Sequence, residues 1–140
     1  MKKILFTFFI LFSITGCAQQ TAPAMLLNGH RINLELATTP ERQTLGLSGH
    51  APLADDQGML FIFDQKTVQS FWMKDMLFPL DIIWLDQDKI VKISKNLPAE
   101  GHQPKNIYRS DLPVDRVLEI TAGLSNNLNL KVGDKVTYEF

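Results

Sequence analysis

Two apolar runs of strand length lie near the middle of the chain. The first is Phe71-Trp72-Met73, and the second spans residues 80–85. Their aromatic and β-branched residues favour strands over helices. Both faces of the second run are mostly apolar, which is typical of a central strand covered on both sides. Asp81 is then a charged exception on a buried face, and a buried charge is costly unless it is paired or used.

The flanking regions carry further strand patterns. Asn28-Gly29 predicts a type I′ hairpin turn, and residues 32–36 alternate between apolar and polar after it. Residues 90–95 are the predicted partner of the second apolar run, in a hairpin that covers residues 80–96. Further strands are predicted at 58–63, 116–120 and 136–140.

Helix signals are few. Thr39 suits an N-cap, Pro40 the first helical position and Glu41 the first turn, so a short helix is predicted to begin there and to end near Gly46. One more helical turn is expected within residues 121–128. Seven or eight short strands with one or two short helices predict a mainly β domain (α+β only in a minor sense), an antiparallel sandwich or barrel-like fold.

The N-terminus has the pattern of an export signal. Lys2-Lys3 precedes an apolar run over residues 4–14, which is too short to be a membrane-spanning helix. Cys17 is the only cysteine, which excludes an internal disulfide, and residues 14–17 resemble a bacterial lipobox. The predicted organisation is a lipoprotein signal peptide over 1–16, a lipidated N-terminus and tether over 17–24, and a single domain over 25–140.

The predicted location is the periplasmic face of the outer membrane. Ala18 rather than Asp follows the cysteine, and by resemblance to the Gram-negative sorting rule this favours an exported protein held there by its lipid. Removing residues 1–16 takes two of the 14 basic residues and no acid, which leaves 12 basic and 15 acidic residues, a net charge of −3. That balance gives no basic patch and argues against nucleic acid as a partner.

The candidate site lies between and around the two central runs. Trp72 and Phe78 would form an apolar wall, with Lys74, Asp75 and Asp81 as polar anchors, as in many small-ligand sites. The structural alternative is that Lys74 pairs with Asp75 or Asp81 at one end of the core. Two further candidates are Arg42, which would either stay exposed or pair with Asp81 or another acid, and Tyr108 in the long irregular segment 96–113.

The residues of the central stretch resemble a known family. Residues 71–74 and 79–83, with residues 41–47, 58–63 and 122–123 and the later Gly133-Asp134, match the signature of the DUF192 (UPF0127) family in order and spacing. The resemblance runs from about Leu34 to Val136. It implies a small, mostly β domain, often exported, and no established activity. The chain departs from that pattern at Asp75 and Met76, where the family has Asn and then Thr.

Catalytic and metal-binding motifs are missing from the sequence. The three histidines are far apart, no Gly-x-Ser-x-Gly or phosphate-binding loop occurs, and neither a metal nor a cofactor is predicted. The leading hypothesis is therefore a membrane-anchored envelope domain that binds a small molecule or an envelope protein. The alternatives are a hydrolase or transferase acting on envelope carbohydrate through Asp75 and Asp81, and a purely structural assembly protein.

Overall fold

A computed structural model describes residues 22–140. The predicted signal peptide, the lipidation site Cys17 and most of the predicted tether lie outside these residues. Within them, no helix has the length and apolar character needed to cross a bilayer. The elements are β1 (Ala24–Leu27), β2 (His30–Ala37), α1 (Pro40–Leu45), β3 (Gln57–Thr67), β4 (Ser70–Phe71), β5 (Leu80–Asp86), β6 (Lys89–Leu97), β7 (Tyr108–Arg109), β8 (Val114–Thr121), α2 (Leu124–Asn127) and β9 (Thr137–Glu139).

The predicted mainly β fold is confirmed. Seven strands form one curled sheet in the order β6-β5-β8-β3-β2-β1-β9. Most neighbours are antiparallel, but β2 and β3 are parallel, because α1 and the loop after it carry the chain back to the start of the sheet. The expectation of a purely antiparallel domain was therefore wrong at this one pair. A crossover is what a parallel pair requires, and a short helix supplies it here.

The hairpin signals in the sequence correspond to real turns. Asn28 and Gly29 have φ values of 48° and 82°, as a type I′ turn requires, and they join β1 to β2. The predicted hairpin over residues 80–96 is formed by β5 and β6. Local turn chemistry thus determines the two antiparallel pairs that are adjacent in the sequence.

The two faces of the sheet bury different apolar clusters. Alternate residues of the central strands β3, β5 and β8 point to opposite faces, so Leu60 and Ile83 join one cluster while Phe61 and Trp84 join the other. The first cluster fills the concave side and is covered by α2. The second cluster lies on the outer face and includes Leu47, just after α1. The outer face is the one that carries the candidate site.

The ends of the curled sheet come close together. The backbone of Ile90 in β6 accepts a hydrogen bond from Gly133 and donates one to Asp134, at 2.8 and 2.9 Å. Residues 133–136 lead directly into β9 at the other end of the sheet. These bonds cover part of the edge of β6, where unpaired backbone groups would otherwise be exposed.

The first apolar run is less regular than its sequence predicts. Only Ser70 and Phe71 are in a strand, β4, which pairs with β7 as Ser70 with Arg109 and Phe71 with Tyr108. Trp72 and Met73 leave the strand, so the prediction of a strand through Met73 was wrong. The long segment 98–113 folds back onto this point, and its β7 strand supplies the pairing that β4 needs.

Candidate ligand site

Helix α1 is held above the outer face of the sheet by its ends and by one glutamine. The Thr39 side chain accepts a hydrogen bond from the backbone N–H of Arg42 at 3.3 Å, as the sequence predicted for an N-cap. The Gln43 amide donates to the carbonyl oxygens of Ala37 and Ile62, at 3.2 and 2.7 Å. These bonds tie α1 to the ends of β2 and β3 without filling the space beneath it.

A cavity of about 350 Å³ lies between α1, β4 and the sheet. That volume is at the lower end of the range for small-molecule sites. Its walls are largely aromatic and aliphatic, with a few uncharged polar groups from α1 and β4. The lining consists of Pro40, Gln43, Thr44, Leu45, Gly46, Leu47, Ser48, Phe61, Phe63, Gln69, Ser70, Phe71, Trp72, Met76 and Glu119. We call this space the aromatic cavity.

Glu119 is the one ionisable residue in that lining. It lies on β8 opposite Met59 on one side and Ile82 on the other, and both of these neighbours are fully buried. Its side chain is only 4% exposed, and its Oε2 atom has no hydrogen-bond partner among the described residues. An unpartnered buried carboxyl group is unusual, because burial removes its hydration without replacing it.

Burial changes the acid–base chemistry of this carboxyl group. Removal from water disfavours the charged form and raises the pKa of Glu119 to about 8. At neutral pH the empty site therefore holds mostly the protonated acid, which can donate a hydrogen bond. A strongly shifted carboxyl group in a cavity is a common feature of functional sites.

A second, more open cavity of about 530 Å³ shares the rim of the first. Its lining is Pro40, Glu41, Thr44, Leu45, Ser48, Trp72, Lys74 and Asp75. The Lys74 ammonium lies 5.9 Å from the centre of the Trp72 ring, and the Asp75 carboxylate lies 3.4 Å from Nδ1 of His102. We call this space the outer cavity. It brings together three of the residues that the sequence singled out: Trp72, Lys74 and Asp75.

Backbone hydrogen bonds on both sides fix the segment that carries Lys74 and Asp75. The Ser48 hydroxyl donates to the carbonyl oxygen of Lys74 at 2.8 Å, and the Gly49 N–H donates to that of Asp75 at 2.9 Å. On the other side the Asp75 N–H donates to Gly101 at 3.3 Å. Asp75 itself has a φ of 54°. The mouth of the two cavities is therefore a preformed structure.

Asp81 does not line either cavity. It is fully buried and accepts hydrogen bonds from four groups: the backbone N–H of Asn96 at 2.8 Å, those of Gly123 and Ser125 at 3.1 Å each, and the Ser125 hydroxyl at 2.6 Å. Four donors satisfy a carboxylate without a cation. Asp81 thus joins β5 to the end of β6 and to the start of α2.

The expected pairing of Lys74 with Asp75 or Asp81 was wrong for the residues that the structure covers. The Lys74 ammonium lies over Trp72 instead, and Asp81 is satisfied by backbone and hydroxyl donors. Because Asp75 is at the surface mouth and Asp81 is inside the scaffold, the two carboxylates do not face a common space. This separation argues against their use as an acid/base pair.

Arg42 and Tyr108 have positions outside both linings. Arg42 pairs with Glu35 of β2 and not with Asp81. It also donates a hydrogen bond to the carbonyl oxygen of Gly46 at 2.9 Å. Tyr108 packs against the outer-face cluster through β7. Partial burial, and to a smaller extent the Glu100 carboxylate, raise the pKa of Tyr108 above its usual value. Both residues stabilise the surroundings of the cavities.

The fold and the cavity define a small, curled, mainly β domain with a ligand-sized space on its outer face. The chain belongs to the DUF192 family, whose model, described as an uncharacterized ACR, matches residues 24–138. A comparison with curated proteins finds no match.

Solved structures share the fold. A protein of unknown function from Novosphingobium aromaticivorans DSM 12444 superposes with a TM-score of 0.72 at 33% sequence identity, over 82% of each chain. A putative transcription regulator from Sinorhizobium meliloti 1021 superposes with a TM-score of 0.74 at 31% identity, over 83% of this chain and 91% of that one. The family and its fold are thus established.

Proposed function

We propose that this protein is a membrane-anchored envelope lipoprotein whose domain binds a small ligand in the aromatic cavity. The observation that carries the proposal is the unpartnered Glu119 carboxyl group in the lining of a largely aromatic and aliphatic space of about 350 Å³. Small-ligand sites combine apolar walls with a few polar groups that fix the orientation of the ligand. A buried position with no role in ligand binding would more readily be occupied by a hydrocarbon side chain than by a carboxyl group.

The membrane anchor is the part of the proposal that rests on sequence alone. The lipobox-like residues 14–17 would place a lipid on Cys17, and the segment up to residue 24 would keep the domain near the periplasmic face of the outer membrane. Its reach is roughly 15 Å, taking about 5–6 Å per square root of residue number for a flexible chain. A ligand would thus be bound close to the membrane surface.

Binding is favoured over catalysis by the composition of the cavity. A hydrolase of the glycosidase type needs two carboxyl groups across the reacting bond, and the lining has one. Asp75 lines only the outer cavity and Asp81 neither. The description of the Sinorhizobium relative as a putative transcription regulator does not transfer readily, since a mature chain of net charge −3 has no excess of basic residues to contact phosphates.

An envelope protein is the second candidate partner. Leu45 and Trp72 at the rim of both cavities are 54% and 47% exposed. Large apolar side chains at a rim can anchor a protein partner as well as a ligand. The polar residues of the outer cavity, Lys74 and Asp75, would then determine which partner binds.

The test is a fragment screen on the full-length protein with a variant that fills the entrance. Thr44 is an exposed residue of α1 that lines both cavities, so Thr44→Trp would obstruct the entrance while leaving the core intact. A fragment at about 100 times its Kd should raise the free energy of unfolding by about 2.7 kcal/mol in a thermal-shift measurement. Thr44→Trp should remove most of that effect.

Thr137→Trp in β9 is the matched control, because Thr137 is equally exposed and lines neither cavity. It should leave every fragment effect unchanged. The proposal fails if stabilising fragments act equally on wild type and Thr44→Trp, or if no fragment stabilises the protein. Binding of an envelope protein that is lost in Thr44→Trp, with no fragment bound, would support the second candidate instead.

A further inference from the structure

We infer that the ligand of the aromatic cavity is an organic ammonium ion whose positive charge pairs with the Glu119 carboxylate among the rings of Phe61, Phe63, Phe71 and Trp72. This inference rests on the proposed function and names the chemical class of the ligand. It combines three features of the described residues: the charge balance of the lining, the arrangement of the aromatic rings and the charges at the mouth.

The charge balance of the lining favours a cationic ligand. Glu119 is an acid without a hydrogen-bond partner, and the described residues that surround the cavity include no Lys, Arg or His. Buried charges in folded proteins are usually paired. An anionic ligand would find no counter-charge and would face a carboxyl group. A cationic ligand would supply the counter-charge for Glu119 that the described residues of the lining do not.

The aromatic rings form a corner instead of a flat wall. Phe71 meets Phe61 edge-to-face at 4.8 Å and 82°, and it meets Phe63 at 6.5 Å and 88°. Rings at right angles present faces in more than one direction. The electron-rich face of an aromatic ring attracts a cation, and this attraction is strongest where water is excluded. Several such rings in the same cavity as a carboxylate suit an alkylated ammonium group, which needs few hydrogen bonds.

The mouth already shows one ammonium–aromatic contact. The Lys74 ammonium lies 5.9 Å from the ring centre of Trp72, and Trp72 lines both cavities. The outer cavity contains two carboxylates, from Glu41 and Asp75, against the single positive charge of Lys74. A net negative mouth raises the local concentration of cations.

Ammonium binding would be coupled to proton release. In the empty protein, burial raises the pKa of Glu119 to about 8, so near pH 6.5 most of the carboxyl groups are protonated. A bound cation favours the ionised form and lowers that pKa. Below pH 8 the affinity should therefore rise by up to about tenfold per pH unit, and above pH 8 it should level off.

The experiment is titration calorimetry of the full-length protein with choline and with benzyltrimethylammonium. The matched control for choline is 3,3-dimethylbutan-1-ol, which has the same shape but a carbon atom in place of the charged nitrogen. At pH 8 at least one of the two cations should bind. Where choline binds, its affinity should be at least about tenfold higher than that of 3,3-dimethylbutan-1-ol. Titrations in buffers of different ionisation enthalpy at pH 6.5 should show up to one proton released per cation bound.

Glu119→Gln adds a second measurement that does not depend on pH. The amide keeps the shape and removes the charge, so cation affinity should fall about tenfold or more, and the dependence on pH should disappear. Circular dichroism would verify that the variant is folded. If the variant does not fold, the wild-type comparison of choline with its neutral counterpart and the wild-type pH series still decide the question.

Several outcomes would overturn the inference. Equal or tighter binding of the neutral alcohol would show that the positive charge does not contribute to binding. An affinity that falls as the pH passes 8 would show that the protonated acid donates a hydrogen bond to the ligand. The ammonium ligand would also be rejected if no cation binds while other fragments bind to wild type and lose that binding in Thr44→Trp. In each case the binding function stands, whereas absence of any binding would reject both.

Discussion

Glu119 is the residue on which the site depends, and its burial has a measurable effect on stability. Its pKa lies at about 8 in the folded protein against an ordinary value of 4.5. Below pH 4.5 both folded and unfolded chains hold the proton, so burial involves no charge. Between pH 4.5 and 8 the unfolded chain loses the proton while the folded chain keeps it. The free energy of unfolding therefore falls by about 1.4 kcal/mol per pH unit in this window.

Glu119→Gln should abolish this pH dependence, because an amide does not titrate. Between pH 5 and 8 the free energy of unfolding of the variant should rise relative to wild type by an amount on the order of 3–4 kcal/mol. Urea denaturation across that range measures the difference. Glu139→Gln, at a partly buried position in β9 where the carboxylate pairs with Arg31 at 2.9 Å, is the control and should stay close to the wild-type profile. Parallel profiles for wild type and Glu119→Gln would mean that the carboxyl group is solvated.

Asp75 and Met76 are the two positions at which the sequence departs from the expected family pattern of Asn followed by Thr. Asp75 has a φ of 54°, a conformation that Asn and Asp adopt more readily than most residues do. The Asn of the family pattern would fit the same backbone. Both departures line the cavities, Asp75 in the outer one and Met76 in the aromatic one. The backbone at position 75 is compatible with Asn or Asp, so the difference there changes the charge presented to a ligand.

Glu119 could not be identified from the sequence, and the reason is physical. In a strand, Glu119 alternates with Leu118 and Ile120 as any solvent-facing glutamate would. Only the position of β8 between β3 and β5, together with the cover provided by α1, makes that face buried. Strand order is a long-range property without a local signal. By contrast, Asp81 was recognisable as a buried acid because both faces of its own strand are apolar.

At the scale of elements, local chemistry predicted most of the secondary structure. The Asn28-Gly29 turn, the Thr39 cap and the 80–96 hairpin each depend on neighbours in the sequence, and all three are present. The parallel pairing of β2 with β3 and the early end of β4 depend on partners far along the chain. These are the places where the sequence-based predictions were wrong.

Asp81 is predicted to hold three elements together, and its replacement tests that role. Asp81→Asn keeps the shape but exchanges one acceptor oxygen for an NH₂ group, which would oppose at least one of the four present donors. The expected loss of stability is about 3 kcal/mol. Ser125→Ala removes a donor together with its bond and should cost only about 1 kcal/mol. Urea denaturation and amide exchange at Asn96 and Gly123 measure both effects.

The opposite pattern would give Asp81 a different role. If Asp81→Asn were as stable as wild type but lost ligand binding, the residue would act on the ligand and not on the scaffold. Ligand affinity in the variant, measured below its unfolding temperature, separates the two roles. Because Asp81 lines neither cavity, we expect that affinity to remain within about threefold of wild type.

At the scale of the whole molecule, the curled sheet separates an aliphatic interior from an outer face that carries the proposed ligand site. The concave side is filled by aliphatic residues and covered by α2. Nε of Arg116 is buried there without a hydrogen-bond partner among the described residues, and the guanidinium lies 4.9 Å from the centre of the Tyr138 ring. The outer face combines the aromatic cavity, the outer cavity and the helix that covers them. None of the residues of β1 lines either cavity, so the proposed N-terminal attachment and the proposed ligand site involve different described residues.

This separation predicts that attachment to the membrane and ligand binding are independent. Cys17→Ser removes the one sulfur that could carry a lipid, so in a Gram-negative host the protein should move from the membrane fraction to the soluble periplasmic fraction. Its affinity for a cavity ligand should change by less than about twofold, since among the described residues none between 22 and 39 lines either cavity. Thr15→Ser is a control that leaves the cysteine in place and should stay in the membrane fraction. If Cys17→Ser protein stays in the membrane fraction, a contact other than a lipid on this residue retains it. If the released protein loses affinity for the ligand, the membrane contributes to the ligand site.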